Sequence, residues 1–317
     1  MAGPRTIARF PAVRRAAGHY ESFYLKAARP AGGQAVWVRY TVWKAPGTEA
    51  VGSLWCTLFD ASLPRPLAWK ASFPEPASPP GEYIRVGEGR LTAGSAEGPS
   101  WRLAYTGEAP PFPYLQRRWM YRAPLPRTKA ESLHPAVQLS GHVEVAGHRL
   151  LLDGWPGMVG HNWGSEHAER WIWLHGTGFA EAPDAVLDVT LGRIRVAGRT
   201  SPWIANGFLE LAGRRHRLGG LQRVRHTRVA ETADRCDFVL PGSRLAVRGR
   251  ITAEPARTVA WTYADPGGGH HDTLHSSVAD LEVRVKDRPL TLAAAATYEL
   301  GMRNSDHGLP IEPYPDP

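Results

Sequence analysis

The densest run of chemically capable residues is Gly160-His161-Asn162-Trp163-Gly164-Ser165-Glu166-His167, followed at once by Trp171-Ile172-Trp173-Leu174-His175-Gly176. Trp171, Trp173 and His175 alternate, so on an extended strand their three rings share one face. His161 and Trp163 share a face by the same rule. Gly160 and Gly164 bracket them, which permits a tight bend or a close backbone approach. Large rings on one face suit the wall of an apolar cavity, and equally a core where two domains meet. His161, Asn162, Glu166 and His175 tip the balance, because they are costly to bury without partners. Four such groups among indoles predict an apolar pocket spotted with polar side chains, with a catalytic and a structural role both open.

The elements that must position these residues read as short strands separated by Gly and Pro turns. Residues 35–43 and 52–59 are rich in β-branched and aromatic side chains, and residues 101–106 alternate cleanly. Residues 141–146 and 149–152 flank Gly147-His148 and read as a hairpin. Further strands are expected over 185–191, 193–196, 208–211, 215–218, 244–248, 258–263 and 280–285. No window carries a long apolar stripe at helical spacing, so the fold class is all-β, of barrels or sandwiches. The proline-rich stretches 74–80 and 110–113 are expected to be loops or a pocket lid, and the tail from Pro310 an unpaired extended segment. Glu299 falls on a late strand, where pairing with an Arg is favoured over facing a second cavity.

Bulk properties narrow the function classes. The chain has 317 residues, more than one core usually serves, which predicts two domains. Its net charge is +8, carried mainly by Arg scattered singly through strands. No nucleic-acid module flanks the denser clusters at Arg14-Arg15, Arg117-Arg118 and Arg214-Arg215-His216-Arg217, so a nucleic-acid partner is not expected, while peripheral contact with anionic lipid stays open. The two cysteines, Cys56 and Cys236, suit a reducing compartment. No apolar run approaches the roughly 20 residues that span a bilayer, and residues 1–18 lack the apolar core of a signal peptide, so a cytoplasmic protein is expected. There is no Walker loop, dinucleotide fingerprint or serine elbow, and no cofactor is expected. His270, His271, Asp272 and His275 are of metal-ligand type, but no Cys or His cluster elsewhere in the sequence completes a defined site, so no metal is expected either.

Three segments carry a family resemblance. Gly18-His19-Tyr20-Glu21-Ser22-Phe23-Tyr24-Leu25-Lys26 resembles an N-terminal Glu-x-x-Tyr strand. Trp37-Val38-Arg39-Tyr40-Thr41 and Trp55-Cys56-Thr57-Leu58-Phe59-Asp60 resemble the next two strands. Gly160-His161-Asn162-Trp163-Gly164 with Trp171-Ile172-Trp173 resembles a His/Asn-x-Trp-Gly then Trp-x-Trp signature. Together they are similar to the double lipocalin-like superfamily of carotenoid hydratases (hydroxyneurosporene synthases), tocopherol cyclases and pericyclases. The resemblance covers most of the chain but is patchy after about Gly219. It implies two tandem lipocalin-like antiparallel β-barrels, over 15–176 and 177–310, with a pocket near their junction for a hydrophobic, isoprenoid- or polyene-like small molecule.

The resemblance also implies roles. His161 and Trp163 fall on the signature positions tied to alkene protonation in the hydratases, and Asp188 is the best match for their downstream carboxylate. The tyrosine that accompanies the acid there has no counterpart beside Asp188, which Leu187 and Val189 flank. If a hydratase or cyclase, the protein needs a carboxylic acid that stays protonated near neutral pH, for which Glu21, Glu166 and Asp188 are the candidates. Trp163, Trp171 and Trp173 would stabilise the cation through their faces, with Tyr24, Asn162 and His175 completing the substrate wall. A non-catalytic carrier of a hydrophobic metabolite, and a pericyclase that only shapes its substrate, use the same pocket without an acid.

Overall fold

The computed structural model describes residues 8–73, 88–90, 98–107, 109–196, 198–303 and 306–314, so the proline-rich stretch 74–80 lies outside the described residues. The first sheet comprises β1 (His19–Ala28), β2 (Gln34–Lys44), β3 (Val51–Asp60), β4 (Leu67–Phe73), β5 (Glu88–Arg90), β6 (Ser100–Thr106), β7 (Phe112–Pro113), β8 (Thr128–Val145) and β9 (His148–Gly164). The second comprises β10 (Arg170–Phe179), β11 (Ala182–Arg193), β14 (Ile204–Leu211), β15 (Arg214–Gly219), β16 (Arg228–Glu231), β17 (Arg235–Pro241), β18 (Ala246–Thr252), β19 (Val259–Ala264), β20 (His270–Val285) and β21 (Arg288–Met302). A small ribbon of β12 (Arg195–Val196) and β13 (Arg199–Thr200) stands apart.

The fold is two tandem lipocalin-like antiparallel barrels. The first runs in the order β4-β3-β2-β1-β9-β8-β6-β5, with β7 also on β8. The second runs β15-β14-β11-β10-β21-β20-β18-β17-β16, with β19 also on β20. A bridge between Leu218, on β15, and Gly242, just past β17, draws the second sheet back on itself. The chain crosses from one sheet to the other at residues 165–169. Trp171, Trp173 and His175 therefore open the second barrel, whereas a boundary at 176 assigns them to the first. The reason is the break at Gly164: β9 ends there and β10 pairs with β11 and β21, not with β9.

Alternation sets the interiors. Leu25, Val36, Val38, Cys56, Leu58, Leu103, Leu139 and Val143 fill the first barrel. Ile172, Leu174, Leu187, Val189, Leu209, Leu281 and Leu300 fill the second. The expected hairpin at 141–152 is present, and Ala146 and Gly147 both adopt positive φ (51° and 77°), the pair of left-handed residues that a tight two-residue hairpin turn requires. Phe112 and Pro113 pair with Ser132 and Glu131 of β8 rather than lying in a free loop, because Pro at a sheet edge forfeits no inner ladder bond. In the tail, Ile311 makes one bridge to Ala260, supported by Glu312 N–H donating to the Ala260 carbonyl, and Tyr314 packs on the junction core with its hydroxyl donating to the Ala68 carbonyl, so the segment is pinned to the body rather than free.

All ten residues of β1 are buried, although His, Glu, Ser and Lys are among them. One face of β1 looks into its own barrel and the other packs on the second barrel, so both are removed from water. The junction is aromatic: Trp37, Trp55 and Phe59 of the first barrel meet Val259, Trp261 and Tyr263 of the second. Trp55 and Trp261 pack edge to face at 5.0 Å. Trp261→Ala is expected to lower stability by about 3–5 kcal/mol in urea unfolding, while Leu151→Ala, at a side chain 69% exposed, stays within about 0.5 kcal/mol.

Candidate functional site

A cavity of about 350 Å³ lies between the barrels. From the first barrel it is walled by Tyr20 and Tyr24 of β1, Trp37 and Arg39 of β2, and Asn162 of β9. From the second come Trp171 and Trp173 of β10, Thr190 of β11, Asn206 of β14 and Glu299 of β21. Two glycines make room for the rings. A Cβ on Gly160, which is paired with Tyr24, would sit 2.3 Å from the Tyr24 ring, and one on Gly301, paired with Trp171, 2.0 Å from that indole. Both rings thus lie flat across a neighbouring strand, which no larger residue there would allow.

Asp188 stands one hydrogen bond behind this wall. It is completely buried on the face of β11 that also carries Thr190. Its Oδ1 accepts the Tyr114 hydroxyl at 2.6 Å and the Trp173 indole N–H at 3.1 Å. Burial raises the Asp188 carboxyl above its ordinary range, against the opposing pull of Tyr114, Ser132 and Trp173. Tyr114 and Trp173 both line the cavity. No tyrosine flanks Asp188 in sequence, and the one that meets it, Tyr114, lies 74 residues earlier in the chain. No local signal marks it, since it follows the proline run 110–113 and reaches Asp188 only across the junction.

Of the other expected site residues, Tyr24, Asn162, Trp171 and Trp173 line the cavity. His175 is buried one layer behind: its Nε2 contacts the Pro135 carbonyl at 3.2 Å, and burial drives it well below the ordinary histidine range. Lys26, also fully buried, is pushed down to about 7 by burial, with Asp188 opposing. Glu166 sits on the outer surface, paired with Arg127 and 3.7 Å from Arg303. Glu299 faces this same cavity, not a second one. Its carboxylate accepts the Trp171 indole N–H at 2.9 Å and meets His275 Nδ1 at 3.1 Å, where an Arg partner was expected. Arg39 is a further wall residue with no sequence signal, held by the Ser22 hydroxyl at 2.7 Å and stacked over Tyr263.

His161 and Trp163 share a face as the spacing predicts, and pairing of β1 with β9 brings Glu21 to them, but on the face opposite the cavity. There they seal one end of the first barrel instead of lining the cavity. His161 stacks on Phe23 at 4.0 Å and on Trp163 at 4.5 Å. Its Nε2 lies 2.8 Å from Glu21 and its Nδ1 3.2 Å from Glu131. Backbone N–H groups of Arg9 and Phe10 also donate to Glu21, and the Arg9 guanidinium covers Trp163. Burial alone would raise the Glu21 carboxyl, yet the hydrogen bonds from His161 and His19 outweigh it and bring it down to about 2. The two buried carboxyls are thus shifted in opposite directions, Asp188 up by desolvation and Glu21 down by its donors.

No family model matches the sequence. The chain has the double lipocalin-like fold. A Nitrosomonas europaea protein assigned as AttH matches with a TM-score of 0.53 at 11% identity, over 94% of this chain and 98% of that one. Kievitone hydratase from Nectria haematococca matches with a TM-score of 0.50 at 10% identity, over 90% and 89%. By sequence, an uncharacterised protein found in two strains of Mycobacterium tuberculosis is 25% identical over 94% of this chain and 91% of its own length.

The Glu21 environment yields a signed prediction. Its folded value, about 2, lies below the ordinary 4.5, so the unfolded chain takes up the proton first and stability falls as pH drops through that window. Thermal melts are expected to show an acid-side loss of about 3 kcal/mol between about pH 4.5 and 2. In Glu21→Gln that acid limb flattens, and stability at neutral pH falls by a similar amount.

Proposed function

We propose that this protein binds a hydrophobic, alkene-bearing small molecule of isoprenoid or polyene type in the junction cavity and hydrates or cyclises it by acid catalysis. The observation that carries this reading is Asp188, a fully buried carboxyl with a raised pKa, joined to a tyrosine that lines the cavity. A carboxylic acid kept neutral by an apolar site is the reagent that alkene protonation needs. Asp188 holds the proton and Tyr114 is the cavity-side member of the pair. With ligand bound and Asp188 protonated, the Tyr114–Asp188 hydrogen bond reverses, so that the Tyr114 hydroxyl turns to the alkene; its proton then passes to an alkene carbon while the Asp188 proton passes to the Tyr114 oxygen. The carbocation is held against the faces of Trp171 and Trp173. Water, or a hydroxyl of the substrate, then forms the new C–O bond, and its proton restores Asp188. The step adds water or closes a ring with no change of oxidation state overall. A hydratase shares the fold, which supports the reaction class. Glu21 and His161 serve to hold β1 and β9 in register, since their side chains face away from the ligand. The same reading keeps the protein in the cytoplasm, where its two buried, unpaired thiols stay reduced.

The test uses a linear polyene and a prenylated quinol, with binding and product mass measured separately. Asp188→Asn and Tyr114→Phe are expected to retain ligand affinity and lose turnover by about 10²-fold or more. Wild-type turnover should fall as pH rises through the raised Asp188 value, because the proton-bearing form is lost. Binding without any mass change or ring closure in the wild type would make the protein a carrier. Turnover unaffected by Asp188→Asn would remove the acid and leave substrate shaping.

A further inference from the structure

His167, Asp265 and His271 belong to three separate segments: the crossover between barrels, the end of β19, and β20. The fold brings one ligand atom from each to within 4.8 Å of the others. Asp265 is 2% exposed and His271 wholly buried, yet neither ring nitrogen of His271 has a hydrogen-bond partner. Burying an imidazole with both nitrogens unsatisfied is costly, so a missing partner is implied. His167 lines the cavity and is fixed in orientation by stacking on Tyr20 at 4.0 Å, and its Nε2 is also without a partner. We propose that these three side chains bind one divalent first-row transition-metal ion at the edge of the cavity.

Two imidazoles and one carboxylate are a donor set suited to such an ion, with coordination positions left open for a ligand oxygen. Asp265 Oδ1 now accepts from His167 Nδ1 at 2.7 Å, and Oδ2 lies 3.5 Å from His271 Nδ1. The ion would sit among these atoms, after the His167 proton moves from Nδ1 to the unpartnered Nε2. Arg303 also donates to Asp265, at 3.0 Å. Its charge is answered by Glu166 at 3.7 Å and Glu169 at 3.5 Å, which keeps the surroundings from repelling a cation. The arrangement escapes the sequence because His271 is 104 positions from His167 by number, with no motif spacing between them. Because His167 faces the cavity, the ion would hold a hydroxyl, carbonyl or water oxygen there.

The test uses untagged full-length protein stripped with a chelator and titrated calorimetrically with zinc chloride. One zinc per chain and a higher melting temperature are expected, with affinity weakened at least about 100-fold in His271→Ala and in Asp265→Asn. His271→Gln, closer in size, and circular dichroism of every variant separate loss of the site from loss of the fold. No zinc uptake by the wild type, or folded variants that bind as tightly, would overturn the site.

A different observation carries a second proposal. Trp119, Leu125 and Leu221 all line the cavity, yet they are 65%, 43% and 58% exposed. They form its rim, on the short 3-10 turns Arg118–Tyr121 and Leu221–His226 and the loop between β7 and β8. Residues 114–128 hold four Arg and no Asp or Glu, and residues 219–229 hold three Arg and no Asp or Glu. Arg117, Arg118, Arg122 and Arg225 are exposed. We infer that this rim docks on an anionic lipid bilayer, with the indole and leucines entering the interface and the arginines meeting the headgroups. This rests on the reading that the cavity takes a hydrophobic ligand, but its test needs no substrate, so the two can fail separately. In co-sedimentation, vesicles of phosphatidylcholine with phosphatidylserine are expected to bind the protein, and phosphatidylcholine alone to bind it at least about 10-fold more weakly. Trp119→Ser with Leu221→Ser should reduce anionic binding about 10-fold or more. No binding, equal binding to both vesicles, or an unaffected double variant would overturn the inference.

Discussion

Everything in this molecule depends on two barrels packed wall to wall, so that the outer surface of one becomes the interior of the pair. A lone barrel exposes the outward side chains of its strands to water. Here those of β1, β2, β10, β11 and β21 face one another instead, and Tyr24, Lys26, Arg39, His175 and Asp188 all lie buried as a result. The junction is sealed by indoles, chiefly Trp37, Trp55 and Trp261. It leaves a cavity flanked by ionisable groups that no single barrel could bury. Each barrel's own interior is packed with aliphatic side chains and serves as the rigid support.

Within that dry layer, chemical character follows from the donors each group is offered. Glu21 and Asp188 are both fully buried carboxyls. Glu21 receives backbone N–H groups from the N-terminal segment and an imidazole partner, all of which favour the charged form. Asp188 receives neutral donors, the hydroxyls of Tyr114 and Ser132 and the indole of Trp173, which do not offset desolvation. One carboxyl is held toward its charged form and the other is shifted toward its proton. The distinction comes from position, since the donors that reach each carboxyl come from other segments of the chain.

Much of the architecture was legible in the sequence. Alternation of branched and aromatic residues marked the strands, and Gly147 marked a hairpin turn. The run from Gly160 to Gly176 marked the aromatic wall, of which Asn162, Trp171 and Trp173 line the cavity. The pairing of His161 with Trp163 also followed from the spacing, whereas Glu21 reaches them only because β1 pairs with β9. What did not follow was the direction in which these groups look. A period of two shows which side chains share a face, but it cannot show which way a face points when both are buried. His161 and Asn162 are neighbours on one strand, and only Asn162 meets the cavity.

The amino-acid sequence by itself determined the all-β character and the concentration of indoles and ionisable groups in one short run, because these reside in local periodicity and composition; two barrels were what its family resemblance implied. Tertiary structure alone decided that Tyr114 completes the Asp188 pair, that His167 meets Asp265 and His271, and that Glu299 turns to Trp171 and His275 rather than to an arginine. The physical reason is that these partnerships form across antiparallel ladders and between barrels. Distance along the chain carries no information about such contacts until the sheets have curled and docked.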